Sequence, residues 1–290
     1  MAPPSIGYRY LGTVSYRQAL ALQRALVEYR LAARRSTRQG SERVWDHNVL
    51  LLLQHPPVYT TGIRRFAQRN PTKEDSDAEA ERQRLEQLGA QYTRRGGQIT
   101  FHGPGQLVGY PLLDITEYKL GVRHYVCALE KALIAACHRY GLKADADKET
   151  GVWIGNHKIA AIGIEIRRYI TSHGFALNCN TDLDWFKHII PCGLEGRGVT
   201  SIAQALREQQ QRHANGQYDM HAHDDRWDTN VDVEDASRHH SMATVEHAIP
   251  VVVDAMAEQF QCPIQPLEQM APALSRSIDE LLLEPSLQQV

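Results

Sequence analysis

Residues 151–178 read GVWIGNHKIAAIGIEIRRYITSHGFALN, and this stretch decides the fold. A short apolar run at 152–154 leads into the turn Gly155-Asn156-His157, and a second apolar run at 158–166 returns along the first. Residues 173–178 have the composition of a further strand. Turn residues between short apolar runs indicate hairpins. We therefore predict antiparallel strands in this part of the chain.

The segments on either side of these hairpins alternate irregularly between strand and helix patterns. The patterns predict strands at 8–11, 49–53 and 58–61 and helices at 19–31, 122–140, 182–190 and 245–260, the last being the final helix. A regular series of strand, helix and strand would indicate a parallel sheet, and it is absent from the pattern. The sequence predicts an α+β fold with a mixed, largely antiparallel sheet packed with helices.

Composition narrows the classes of partner. The chain has 290 residues, of which 42% are hydrophobic, and its net charge is −2. This charge gives no general attraction to nucleic acid or to an anionic membrane. No apolar run approaches the ~20 residues that span a bilayer, and the run at 49–53 has the length of a strand. We expect no nucleic-acid partner and no stable membrane insertion.

The five cysteines are widely spaced and include no Cys-x-x-Cys pair. Their odd number and spacing argue against a disulfide framework and against a cysteine zinc site. A reducing compartment fits this usage, and it leaves room for one reactive thiol.

Two stretches differ in composition from the rest. Residues 67–91 are highly charged, which predicts a solvated insertion. Residues 206–242 are polar, with almost no apolar periodicity, and predict a disordered surface insertion. The second stretch holds five of the fourteen histidines, His213, His221, His223, His239 and His240. Because polar sequence of this kind offers no fixed scaffold, we predict no metal site there.

The densest candidate segment is RGGQITFHGPGQ at 95–106. Glycine permits positive φ and close approach of the main chain, so four glycines beside Arg95 and His102 would let a ligand lie against the backbone. A glycine-rich turn between strands explains the same composition. The segment is not a phosphate-binding loop, because it lacks Gly-Lys-Ser/Thr and the strand-to-helix G-x-G-x-x-G pattern.

Lys158 stands at the start of an apolar strand. Strand alternation places it on one face with Ala160, Ile162, Ile164 and Ile166. It is then either a strand-end lysine whose amine reaches water or a partly desolvated amine that acts as a base near neutral pH.

The strand at 173–178 alternates bulky and small residues. His173, Phe175 and Leu177 are predicted to share one face, and Gly174, Ala176 and Asn178 the other. A strip of small residues leaves room for a long, thin ligand such as an acyl chain, although close packing of sheet on helix explains it equally.

Cys192 lies in the loop Pro191-Cys192-Gly193, where free backbone N–H groups can stabilise an oxyanion. Cys127 and Cys137 fall within a helix and have the pattern of core residues. A thiolate is the working nucleophile of a cysteine enzyme, and a nearby cation favours it. Cys192 is therefore the candidate nucleophile, and burial as a small hydrophobic residue is the alternative.

Taken together, RGGQITFHGPGQ, KIAAIG, HGFALN and PCG, in this order, resemble the lipoyl(octanoyl) transferases, which are octanoyl-acyl-carrier-protein:protein N-octanoyltransferases. The resemblance covers about residues 8–205. It implies the fold of the lipoate and biotin protein ligase catalytic domains. We accordingly predict a single acyltransferase domain over residues 1–290, with insertions at about 67–91 and 206–242.

The resemblance also implies the site. The lysine of KIAAIG and the cysteine of PCG form the family's catalytic dyad and fall on Lys158 and Cys192. The acyl-binding groups fall on Arg95, Gly96, Gly97, Gln98, Ile99, Thr100, Phe101, His102, Ala161, Ile162, Gly163, Gly174, Phe175 and Ala176.

The implied reaction moves an octanoyl group from acyl-carrier protein to Cys192 and then to a lysine of a lipoyl domain, in lipoate biosynthesis. The implied acceptors are the lipoyl domains of 2-oxoacid dehydrogenase complexes and the glycine cleavage H protein. Amide formation from a thioester is downhill, so no cofactor is expected, neither ATP nor metal. The alternatives are an ATP-dependent lipoate or biotin protein ligase of the same fold and a non-catalytic acyl-binding protein.

Location follows from the resemblance only in part. Long insertions indicate a eukaryotic member, for which the family implies the mitochondrial matrix; a cytoplasmic location is the alternative. The first forty residues hold seven arginines and one acidic residue, as transit peptides do. Apolar residues at helical spacing, Ala19, Leu22 and Leu26, favour a packed helix of the domain instead of a leader.

Overall fold

The computed structural model describes residues 4–36, 47–62, 83, 87, 89–189, 196–215 and 242–284. The strands are β1 (Ile6–Thr13), β2 (Asn48–Gln54), β3 (Val58–Thr61), β4 (Gln91–Tyr92), β5 (Thr100–His102), β6 (Gln106–Leu112), β7 (Asp145–Ala146), β8 (Val152–Ile154), β9 (His157–Arg167), β10 (Ile170–Asn178), β11 (Gly198–Val199) and β12 (Ile264–Pro266). The helices are α1 (Tyr16–Ser36), α2 (Val122–Arg139), α3 (Ile202–Ala214), α4 (Val245–Phe260), α5 (Leu267–Met270) and α6 (Pro272–Leu283), and Leu183–His188 is a 3₁₀ helix.

The main sheet has the strand order β12-β1-β2-β6-β10-β9-β8-β7, and β11 pairs with β9. The pairs from β2 through β6, β10, β9 and β8 to β7 are antiparallel. The pairs β1–β12, β1–β2 and β9–β11 are parallel. The predicted α+β fold with a mixed, largely antiparallel sheet is confirmed.

Helices cover both faces of this sheet, and β2 shows the consequence. Leu50 and Leu52 belong to a core formed with α2, α3 and α4, whereas Leu51 and Leu53 belong to a core formed with α1 and α6. A strand that is buried on both faces reads as a continuous apolar run instead of alternating. This explains the run at 49–53.

A smaller sheet, in the order β4-β3-β5, includes residues 100–102 of the glycine-rich segment. The 3₁₀ helix packs on it through Phe186, which lies in one cluster with Tyr59, Ile99 and Phe101. This contact brings the chain that precedes residue 190 to the same region as the glycine-rich segment.

Two predictions about the C-terminal part are wrong. Residues 206–214 continue α3 and Leu206 is buried, so the polar insertion cannot begin at 206. The tail of α3 is exposed and polar, which is why it resembles an insertion in sequence. Helix α4 is not the last helix, since α6 follows and buries Leu274 and Ile278 in the core shared with α1. The rest of the insertion, 216–241, lies outside the described residues.

The charged stretch at 67–91 lies largely outside the described residues as well. Its last residue, Gln91, belongs to β4 and pairs with Thr60. The predicted packed helix near the start is confirmed as α1, in which Ala19, Leu22 and Leu26 are buried. Among the helices that the structure describes, none is long and apolar enough to cross a membrane.

Candidate active site

Lys158 is a buried lysine at the beginning of β9, with 6% of its surface exposed. Its Nζ donates a hydrogen bond to the carbonyl oxygen of Thr150 (3.3 Å) and lies 4.7 Å from the ring centroid of Trp153. Gly151 has φ +132°, and a Cβ there would meet Lys158 Cε at 3.2 Å. The hairpin turn before β8 therefore leaves a space that only glycine provides, and the lysine side chain fills it.

Lys158 does not share a face with the apolar residues of β9. Residues Trp153 and Val152 of β8 pair with Lys158 and Ala160 respectively, so two residues of β9 oppose one of β8 at a β-bulge. Beyond the bulge, the side chains of β9 point to the opposite faces from those that a regular alternation starting at Lys158 would give. The predicted common face of Lys158 with Ala160, Ile162, Ile164 and Ile166 is wrong, because those four residues pack in the core under α2.

A narrow cleft lies beside Lys158. Its wall residues are Thr100, Gln106, Lys158, Ala161, Ala176, Asn178, Phe186 and Val199. Ala161 and Ala176 are direct cross-strand partners on β9 and β10, and Gly163 and Gly174 form a further pair along the same two strands. The cleft encloses about 10 Å³, roughly the room for one water molecule. An acyl chain of eight carbons can enter only if the walls move apart.

The glycine-rich segment closes the track of small residues at its far end. Gly96 N donates to Ile164 O of β9 (2.9 Å), and a Cβ on Gly163 would come within 2.7 Å of Gly96 O. Arg95 is buried, and its guanidinium donates to Gly96 O and Gln98 O (both 3.0 Å) and to Thr60 O (2.8 Å). These bonds show that Arg95 shapes the loop.

A chain of buried amides connects the glycine-rich segment with Lys158. Gln106 Nε2 donates to Asn178 Oδ1 (2.9 Å), and Asn178 Nδ2 donates to Thr200 O (2.9 Å). Thr200 N in turn donates to the carbonyl oxygen of Lys158 (3.0 Å). Since the Gln106 amide nitrogen donates, its oxygen accepts, and His102 Nδ1 at 2.8 Å carries the proton.

Comparison with known proteins identifies the family. The family model of the lipoyl protein ligase A/B catalytic domain matches residues 15–214. The chain belongs to this family. The mitochondrial octanoyl-acyl-carrier-protein:protein N-octanoyltransferase of Danio rerio is 42% identical over 257 residues, covering 88% of this chain and 92% of that protein. The octanoyltransferase of Solibacter usitatus is 48% identical over 198 residues, 67% of this chain and 81% of that protein. The predicted resemblance to the lipoyl(octanoyl) transferases is confirmed.

Solved structures support the same fold. Lipoate-protein ligase A bound with ATP aligns with a TM-score of 0.54 at 13% identity, over 96% of this chain and 94% of that one. A bipartite lipoate protein ligase from Thermoplasma acidophilum aligns with a TM-score of 0.50 at 15% identity, over 99% and 96%. At these identities the likeness concerns the fold alone.

Only some of the acyl-binding residues that the family resemblance implied lie at the cleft. Thr100, Ala161 and Ala176 line the cleft, and Gly163 lies along its track. Ile162 and Phe175 point the other way, into the core under α2. For Phe175 the reason is visible at Gly109, where a Cβ would collide with the phenyl ring.

Sequence reasoning missed several residues of this lipoyl ligase-like site. Gln106 and Asn178 each close a motif that was singled out, RGGQITFHGPGQ and HGFALN, so their position at the ends of motifs was the available signal. Trp153, Phe186 and Val199 carried no such signal, because only the folded chain brings them to Lys158.

The buried histidines are neutral at pH 7. Burial lowers the pKa of His55 to about 4, and burial together with the nearby Arg95 charge lowers the pKa of His173 to about 3. Burial also lowers the pKa of His102 well below its usual value, assisted by His55 and Arg95.

His55 uses both of its ring nitrogens in hydrogen bonds. Nδ1 donates to Val14 O (2.6 Å), so Nε2 accepts from the Tyr110 hydroxyl (2.8 Å).

His173 does not lie on the predicted face. Its φ is +56°, and its N–H donates to Gln23 Oε1 (2.7 Å). The left-handed backbone turns the imidazole toward Thr93 Oγ1 (3.3 Å) and the edge of Tyr110, away from Phe175 and Leu177. The predicted shared face of these three side chains is therefore wrong.

Cys192 lies outside the described residues, but the chain on both sides of it reaches the cleft. Phe186, which precedes it, and Val199, which follows it, both line the cleft with Lys158. Strand β11 pairs in parallel with His157 and Lys158 of β9. These contacts bring the two ends of the segment 190–195 to one place.

The buried cysteines that the structure describes are poor sources of thiolate. Burial raises the pKa of Cys137 and Cys179 to about 12 and that of Cys262 to about 11. Cys127 is half-buried in α2. Within the described residues no group of three or more His, Cys, Asp or Glu side chains is arranged to hold a metal. Of the insertion histidines, His221, His223, His239 and His240 lie outside those residues.

A larger groove of about 650 Å³ lies between β1 and α6. Three of its polar residues contact each other, since Arg9 donates to Ser275 Oγ (2.6 Å) and pairs with Asp279. None of its lining residues is a candidate from the sequence, so the narrow cleft beside Lys158 is the candidate site.

Proposed function

We propose that this chain transfers an octanoyl group from acyl-carrier protein to a lysine of a lipoyl domain, through a thioester on Cys192 and with Lys158 as the base. Membership of the lipoyl ligase family and the octanoyltransferase names of its relatives support the transfer. The observation that carries the mechanism is the buried Lys158 beside a cleft walled by Phe186 and Val199, which flank the segment containing Cys192.

Chain length supports the pairing of Lys158 with Cys192. Cys192 is three residues beyond Ile189 and four residues before Gly196. An extended chain advances at most ~3.6 Å per residue, so the Cα of Cys192 can be no farther than about 11 Å from that of Ile189. Ile189 lies in one cluster with Phe186, which lines the cleft, so this bound is compatible with a thiol at the cleft.

In the first step, the Lys158 amine takes the proton of the Cys192 thiol. The thiolate attacks the carbonyl carbon of the octanoyl thioester, and the carbon–sulfur bond to the carrier thiol breaks. Protonated Lys158 returns the proton to the leaving thiol. One thioester replaces another, so the step is close to balanced, and covalent capture divides one difficult reaction into two easier ones.

In the second step, the neutral ε-amine of the acceptor lysine attacks the octanoyl-Cys192 thioester. A carbon–nitrogen bond forms, the bond to Cys192 sulfur breaks, and Lys158 carries the amine proton to the departing thiolate. The product is an amide and the enzyme regains its thiol. Because an amide is more stable than a thioester, the reaction needs neither ATP nor a metal.

The track of small residues is the proposed path of the acyl chain. Ala161 and Ala176 line the cleft beside Lys158, and Gly163 continues the track of small residues to the glycine-rich loop. Arg95 acts in this proposal by holding that loop through Gly96 O and Gln98 O, and Thr100 lines the cleft.

The proposed acceptors are the lipoyl domains of 2-oxoacid dehydrogenase complexes and the glycine cleavage H protein. The relatives from Danio rerio and Homo sapiens are named mitochondrial. These names support the proposal that the reaction takes place in the mitochondrial matrix.

Intact mass spectrometry tests the proposal. The full chain is incubated with octanoyl-acyl-carrier protein and no ATP, and a mass increase of one octanoyl group is expected. Cys192→Ala should abolish the adduct, whereas Cys127→Ala, at the half-buried cysteine of α2, should keep it. An adduct on the Cys192→Ala protein overturns the nucleophile assignment.

The same assay separates the alternatives. An ATP-dependent ligase would require ATP and free octanoate for transfer and would not need Cys192. A non-catalytic acyl-binding protein would bind acyl chains equally well after Cys192→Ser and would modify no lysine.

A further inference from the structure

The ring of Trp153 contacts the amine of Lys158 and the guanidinium of Arg197. Lys158 Nζ lies 4.7 Å from the ring centroid, and Arg197 Cζ lies 3.4 Å from it. Both distances fall within the ~6 Å at which a cation is attracted to an aromatic face. Only 3% of Trp153 is exposed, so water does not screen these contacts strongly.

The ring itself is held in place. Its Nε1 donates to Glu149 O (3.1 Å), at the turn that also supplies Thr150 O to the lysine amine. Trp153 is the strand partner of Lys158 at the bulge between β8 and β9. The indole therefore lies against the lysine side chain from a fixed position on the neighbouring strand.

Arg197 connects the same ring to the chain that follows Cys192. It precedes β11, which pairs with the beginning of β9, and its guanidinium also forms an ion pair with Asp147 (2.7 Å). Asn156 Nδ2 donates to the carbonyl oxygen of Gly196 beside it (3.1 Å). The chain that follows Cys192 is thus held against the hairpin that carries Lys158 by contacts with Asp147, Trp153 and Asn156.

We propose that Trp153 is a positioning residue of the transfer reaction: its ring orients the Lys158 amine and, through Arg197, fixes the returning chain beside that amine. The inference rests on the proposed function, because it assumes that Lys158 is the base. Trp153 need not touch the acyl group. Its effect should appear in the rate of acylation and not in the binding of the donor.

Single-turnover acylation by octanoyl-acyl-carrier protein tests this role. Trp153→Leu should lower the maximal rate constant by roughly 2- to 30-fold, the range expected for losing a desolvated cation–aromatic contact. The half-saturating donor concentration should change less than twofold. Trp153→Phe keeps an aromatic face and should recover most of the rate.

The coupling with Arg197 gives a second readout. Arg197→Gln should slow acylation in the wild-type background and have a smaller effect in the Trp153→Leu background, where the contact with the ring is already lost and only the ion pair with Asp147 remains. Phe260→Leu, a buried aromatic substitution in α4 against Tyr118 and Tyr125, is the control for a general loss of packing. It should leave the maximal rate constant unchanged.

The proposal is overturned if Trp153→Phe is as slow as Trp153→Leu, or if Arg197→Gln has the same effect in both backgrounds. Lys158→Ala in the same assay separates the two levels of the argument. If Lys158→Ala acylates at the wild-type rate, the proposed base is wrong. If Lys158→Ala is slow while Trp153→Leu is normal, only the positioning role of Trp153 fails.

Discussion

Two groups of buried ionisable side chains lie near the glycine-rich segment, and they differ in what surrounds them. The lysine centre consists of Lys158 with Thr150, Gly151 and Trp153, and it opens on the cleft. The histidine cluster consists of His55, His102 and His173 with Tyr110, Gln106 and Thr93. Burial alone does not make a catalytic base. Lys158 lines the cleft, whereas none of the three histidines does, and this contact distinguishes the lysine from them.

The largest expected effect is at the lysine centre. Lys158→Ala removes both the proposed base and a cation, so acylation should fall by about 10²–10⁴, the usual range for losing a general acid–base group. Lys158→Arg keeps a positive charge, so part of Cys192 should remain a thiolate. Because arginine cannot give up its proton near neutral pH, this variant should still fail in proton transfer. Single-turnover acylation and the rate of Cys192 alkylation by iodoacetamide against pH measure the two effects.

The histidine cluster provides the control for this comparison. His173→Asn should leave acylation within about threefold of the wild type, because asparagine tolerates the left-handed backbone at this position and His173 does not line the cleft. If His173→Asn were as slow as Lys158→Ala, the base would belong to the histidine cluster and the comparison would be reversed.

The histidine cluster should instead control stability against pH. Burial lowers the pKa of His55 to about 4 and of His173 to about 3, whereas unfolded histidine titrates near ~6.5. Above that value neither state binds a proton and the histidines add no pH dependence. As the pH falls from ~6.5 towards about 4, only the unfolded state takes up protons, and each histidine lowers the free energy of unfolding by up to ~1.4 kcal/mol per pH unit.

Urea unfolding between pH 6.5 and 4.5 measures this slope. His173→Asn should reduce it by up to ~1.4 kcal/mol per pH unit, and His124→Asn, at an exposed histidine of α2, should leave it unchanged. Equal slopes for the wild type and His173→Asn would show that His173 is protonated in the folded protein.

The cleft itself should determine the preferred acyl length. Ala161→Val narrows the track opposite Ala176, so the ratio of octanoyl to hexanoyl acylation rates should fall by about tenfold, as expected when a pocket loses room for a methylene group. Ile166→Val, on the opposite face of β9, is the matched control and should keep the wild-type ratio. An unchanged ratio for Ala161→Val would mean that the acyl chain lies elsewhere.

The strands and helices followed from local patterns, whereas the faces of the strands at the site did not. The run at 49–53 and the hairpin at 152–166 were predictable because apolar runs and turn residues act over a few positions. The bulge between β8 and β9 and the left-handed φ of His173 each reverse an alternation, and neither leaves a mark in the sequence. Lys158 and His173 were assigned to the wrong face for this reason.

The residues of the site likewise differ in whether the local sequence could reveal them. Lys158 could be found because it begins a motif and is charged within an apolar run. Trp153 and Val199 could not, because a pairing between β11 and β9 and a hairpin register bring them to the lysine. Residue type shows which groups can do chemistry, and only the register shows which of them meet.

The smallest effect on activity is expected at residues 216–241, which belong to neither the lysine centre nor the histidine cluster. They are polar and lack the apolar content to form a core, and the helix before them already carries the contacts of that region, since Leu206 is buried and Gln209 Nε2 donates to Gly141 O (3.3 Å). Replacing 216–241 by a Gly-Ser sequence of equal length should therefore keep acylation and transfer within about threefold of the wild-type rates.

Replacing Leu206 by Ala is the contrasting variant, because it removes a buried side chain and should destabilise the fold by about 2–5 kcal/mol. Acyl-enzyme formation and transfer to a lipoyl domain are measured separately for the replaced protein. Normal acylation with slow transfer would show that these residues contact the acceptor, and slow acylation in a stable protein would show that they shape the lysine centre.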